Sequence, residues 1–141
     1  MNISLHLKIV GLSLMLLALF HVVLPKRFDW QKEMALLSLF NRQVMYVHTF
    51  FIALVVLMFG ALTFFFTAEL LTKNSLAQVI LAGLAGFWAI RLFVQLFVYD
   101  AALWRGKRFE TIAHILFTIY WVYCTMIYGW ALFASTGFKA E

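Results

Sequence analysis

The sequence is short of nearly everything that a water-soluble chain uses to fold. Charged residues make up 12% of it, against about 25% in a soluble domain. A single cysteine, Cys124, excludes an internal disulfide. One proline, Pro25, and seven glycines leave no stretch for a flexible linker, and neither an internal repeat nor a low-complexity tract is present. The short motifs of common enzymes are missing too: no nucleophile elbow, phosphate-binding loop, HExxH helix or dinucleotide fingerprint. No HxxxH or ExxH pair occurs on one helix, so a metal site would have to be built from separate segments.

What is there is apolar. Hydrophobic residues make up 65% of the chain, and its mean hydropathy is +0.95. A chain of 141 residues folded in water still exposes roughly a third of its unfolded surface, more than this composition can cover with polar atoms. A bilayer is the expected solvent. Four apolar stretches, 5–24, 44–68, 76–99 and 111–134, each approach the ~20 residues that carry a helix across ~30 Å of hydrocarbon. None alternates polar and apolar residues as a barrel strand would. The first opens like a signal peptide, yet no small-x-small site precedes Pro25 and its length suits a span, so it reads as a retained helix.

The expected fold is all-α: an integral membrane four-helix bundle in a single domain, 1–141, with one amphipathic interfacial segment between helices 1 and 2. That segment, 25–43, sets Phe28, Met34, Leu37 and Phe40 against Lys32, Glu33 and Arg42, with Trp30 at headgroup level. The connection 69–75 suits a tight hairpin, and 100–110 carries Trp104 as an interfacial aromatic and Gly106 as a turn residue. The net charge of +5 reads as a topology signal instead of a nucleic-acid patch. Lys26, Arg27, Lys32 and Arg42 lie in one loop and Arg105, Lys107 and Arg108 in another, against Lys8, Lys73 and Lys139 on the opposite side. Loops 25–43 and 100–110 are therefore expected in the cytoplasm, with both termini across the membrane.

Polar residues inside the apolar stretches carry the functional signal. His21 is four residues before Pro25, His48 five after Gln43, and His114 four after Glu110. At 1.5 Å per residue these offsets place all three about 6–7 Å inside the basic face. Gln95 lies at a similar depth, and Arg91 one turn deeper. The expected site is thus His21, His48, Arg91, Gln95 and His114, one polar layer supplied by all four spans. Arg91, Gln95 and Tyr99 form one stripe beside Trp88. Thr111, His114, Thr118, Trp121, Thr125 and Tyr128 alternate three and four apart, a seam that should face other helices. Asn41, Met45 and His48 share a face, and Ala82, Gly83, Ala85, Gly86 and Ala89 suggest close helix packing.

Three functions fit such a layer. Two of His21, His48 and His114 could ligate haem iron, with Arg91, Arg42 and Lys26 on the propionates, or all three with Asp100 or Glu110 could hold a transition metal. Alternatively, Trp88, Tyr99, Phe117 and Trp121 pack the body of a lipid or quinone whose head meets the polar groups. The third is an accessory structural subunit of a larger membrane complex, its sixteen phenylalanines facing lipid or partner. Plainer accounts exist for each residue. A histidine near an interface often reaches headgroups or a carbonyl, and an arginine there can snorkel. A channel or transporter is a poorer fit, because only Arg91 is a deep charge and neither an inverted repeat nor a broken helix near the midplane is present, while an oligomeric pore stays open as an alternative.

Overall fold

A computed structural model describes residues 2–23, 25 and 29–136. Leu24, Lys26, Arg27, Phe28 and Lys139, which the sequence reading used, lie outside the described residues, as does the side chain of Glu33. Among the described residues the secondary structure is helical: α1 (Ile3–Phe20), α2 (Trp30–Met34), α3 (Leu39–Phe65), α4 (Thr67–Leu70), α5 (Ser75–Phe97), a 3-10 turn (Ala101–Leu103) and α6 (Arg108–Thr136). Four of these, α1, α3, α5 and α6, are long and apolar enough to cross a membrane. Their outer faces are greasy: Phe40 is 73% exposed, Phe97 71% and Leu116 60%. Water would not tolerate so continuous an apolar surface, and the chain reads as a multi-pass membrane protein.

Helix ends follow local chemistry. The oxygen of Ser38 accepts from Asn41 N and caps α3, and that of Asn74 accepts from Ala77 N and caps α5. The Ser38 cap starts α3 at Leu39, five residues before the apolar run at Val44. It also divides the expected interfacial segment into the short α2 and the first turn of α3. Exposed Lys32 and Asp29 pair there at 2.6 Å, and Leu36 is 90% exposed, as a piece lying in an interface would be. α1 stops at Phe20, earlier than 24. Its end tightens into i→i−3 bonds, Val22 N to Leu19 O and Val23 N to Phe20 O, shortly before a proline that has no N–H to continue the ladder.

The chain divides into two compact units. In the first, Leu7–Thr67, α1 buries Leu7, Val10, Gly11, Leu14 and Ala18, and α3 buries Val56, Gly60 and Thr63. The backbones touch at two glycines. A Cβ on Gly11 would sit 2.6 Å from Phe64 N, and one on Gly60 would sit 2.8 Å from Gly11 O. Close packing was expected on α5, but Gly83 and Gly86 have nothing within 4 Å of a built Cβ. Those glycines lie on the exposed side of the helix, away from the stripe of Ala77, Leu81, Leu84 and Trp88 that it buries.

The second unit runs from Ala68 onward and includes the first residues up to His6. Its core is the α5–α6 pair. α5 buries Ala77, Leu81, Leu84, Trp88 and Gln95, and half-buried Arg91 completes a spacing of four and three. α6 answers with Trp121, Cys124, Ile127, Tyr128, Ala131 and Ser135. This 3.5-residue period is the seam of two helices packed side by side. The threonines of the α6 seam bond within their own helix, Thr118 to His114 O and Thr125 to Trp121 O, both at 2.8 Å. Turned back in this way, they bring little polarity to the helix contact.

Candidate functional site

Polar groups gather where α5 ends and α6 begins. Arg91 Nη1 donates to Gln95 Oε1 at 3.0 Å. Gln95 Nε2 in turn lies 2.8 Å from His114 Nδ1. The i to i+4 spacing on α5 makes the first link, and the side-by-side packing of α5 and α6 makes the second. The loop adds a wall: Trp104 stacks on the His114 ring with centroids 3.8 Å apart and planes 14° from parallel. Thr111 Oγ1 donates to Trp104 O at 2.8 Å, and Gly106 turns the chain with φ +82°, a conformation glycine adopts at little cost.

Aromatic rings surround the guanidinium. Its carbon lies 5.1 Å from the Trp121 ring centroid and 5.6 Å from that of Tyr99, within cation–π range. Trp88 stacks on Trp121 at 4.8 Å and 11°, with Phe117 on the same indole at 5.7 Å. Trp88 and Trp121 are 1% and 5% exposed, and neither indole N–H has a hydrogen-bond partner among the described residues. A buried donor left without an acceptor costs about 1–3 kcal/mol. Two of them beside one arginine need an explanation.

The donor sense of the relay follows from the arginine. A guanidinium has only N–H groups to offer, so the Gln95 atom facing it must be the carbonyl oxygen. The amide then turns its NH2 to His114, whose Nδ1 must accept. The imidazole proton is thereby held on Nε2. Donors dominate what is left uncommitted here: the remaining Arg91 N–H groups, His114 Nε2–H and the two indoles. Among the described residues no carboxylate lies within ion-pair reach of Arg91. A cation in hydrocarbon costs about 2.5–3.5 kcal/mol even on the mildest scale.

The five expected site residues thus divide. Arg91, Gln95 and His114 are joined in one relay. His21 lies just beyond α1, with Nδ1 2.8 Å from Leu17 O; a carbonyl can only accept, so Nδ1 carries the proton. His48 is exposed on α3. Among the described residues no group of three or more His, Cys, Asp or Glu is placed to hold a metal ion. Depth along a helix does not fix direction around it, which is why a common layer of histidines need not make a common centre. Trp104 was read as an interfacial anchor, and its stacking on His114 had no signal in the sequence beyond an aromatic residue in the loop. No protein family, curated protein or solved structure matches this chain.

Proposed function

We propose that the chain is a membrane receptor for an amphipathic small molecule, a lipid or quinone, whose acceptor oxygens dock on Arg91, Gln95 and His114. The observation that carries this reading is the surplus of donors. A relay that spends its one side-chain carbonyl on Arg91 leaves several N–H groups uncommitted, and two buried indoles lack acceptors among the described residues. Such a set is satisfied by carbonyl, carboxylate or phosphate oxygens. Half-buried Trp104 offers an aromatic surface that suits an apolar body. With loops 25–43 and 100–110 on the cytoplasmic side, the connection 100–110 would put the site at that leaflet.

A haem or metal reading ranks second. It needs an imidazole lone pair, and the relay has His114 presenting Nε2–H instead. His21, with its proton on Nδ1, retains a lone pair on Nε2 and is the better ligand of the two. The test is native mass spectrometry of the full chain purified from its membrane, beside a visible spectrum. A retained small amphiphile on the wild type, lost from Gln95→Leu at unchanged helicity, is expected. A bare chain mass would refute the proposal, and a Soret band would favour the haem reading.

A further inference from the structure

We infer that the head of this ligand carries a full negative charge, a phosphate or carboxylate on an acyl chain, seated on Arg91. The inference rests on the acceptor-ligand reading above and narrows it. A neutral carbonyl would satisfy the N–H groups and leave the charge uncompensated. An anion does both. Arg91 is half-buried, and the one ion pair among the described residues, Lys32 with Asp29, is elsewhere.

The acids nearest in sequence do not supply the missing charge. Asp100 accepts from Ala102 N at 2.8 Å in its own turn, and Glu110 stands in the first turn of α6, where the helix dipole favours it. Arg105, Lys107 and Arg108 leave the connection with a positive surplus. The geometry also suits an oxyanion. Arg91 commits one N–H of Nη1 to Gln95, and its guanidinium carbon lies over the Tyr99 and Trp121 rings. The N–H groups that remain can make a bidentate contact to an oxyanion.

The experiment uses the full chain, delipidated in an uncharged detergent. It is offered four probes separately: phosphatidic acid, oleate, phosphatidylcholine and an uncharged quinone. Retention is read by native mass spectrometry and binding by tryptophan fluorescence. The wild type should hold an anionic probe at least about tenfold more tightly than the other two, and the better of phosphatidic acid and oleate identifies phosphate or carboxylate as the head. Arg91→Gln should erase that preference. Should Arg91→Gln fail to fold by circular dichroism, Gln95→Glu is the isosteric alternative: it places a carboxylate beside Arg91 and should abolish anion binding. Quinone held as tightly as the anions, or anion binding unchanged in Gln95→Glu, would overturn the charge inference and leave the acceptor reading standing. No probe held at all would overturn both.

Discussion

Trp121 illustrates how one atom separates packing from binding. Its ring is stacked and buried, while its N–H lacks a partner among the described residues. Trp121→Phe keeps an aromatic face under Arg91 and removes that donor. In ligand-free protein the lost packing is offset by relief of the orphan N–H, so the unfolding midpoint in detergent should move little. Ligand affinity should fall about fivefold or more, measured by titration. A large loss of stability with unchanged affinity would make the indole purely structural. At this scale the sequence was half legible. Arg91, Gln95 and Tyr99 could be placed on one stripe by counting fours, and His114 by the seam of α6. That Gln95 would spend its oxygen on Arg91 and so fix the proton on His114 needs atomic distances. That the His21 ring turns back on Leu17 O likewise needs atomic distances.

Among the elements, the four long helices were readable from their apolar lengths, but their contacts were not. Gly11 and Gly60 are isolated glycines far apart in the chain, and only the packing of α1 on α3 pairs them. Gly11→Ala and Gly60→Ala should each lower stability by about 1–3 kcal/mol, because a backbone atom stands where the methyl would go. Gly83→Ala and Gly86→Ala, open on α5, should be neutral or stabilising by up to about 1 kcal/mol through helix propensity. Thermal or denaturant unfolding of the four variants in one detergent checks both. Equal effects at all four positions would contradict the assignment. Small residues in the sequence pointed to α5 for close approach because a Gly-Ala run is conspicuous and a lone Gly is not. Ser38→Ala should cost about 0.5–2 kcal/mol by the same measurement, as loss of the α3 cap.

At the scale of the whole molecule, four helices are long and apolar enough to cross a membrane. Its lone thiol, Cys124, is fully buried, which leaves a clean background for mapping sidedness. Lys107→Cys should react with a membrane-impermeant thiol reagent from the cytoplasmic side and Lys73→Cys from the other, in intact cells against inverted vesicles. Both reacting from one side would refute the orientation derived from the basic loops. The class of the fold was plain in composition alone, because no other solvent suits so apolar a surface. The site was legible only as a depth, and which polar groups share it depended on the directions in which side chains leave their helices. The donor character of the relay turns on where one proton sits. In nitrogen-15 histidine-labelled protein in bilayers, with His114 assigned by its loss in His114→Asn, neutral His114 is expected to carry its proton on Nε2 and to accept at Nδ1. A proton on Nδ1 would reverse the relay, free a lone pair for a metal, and contradict the acceptor-ligand reading.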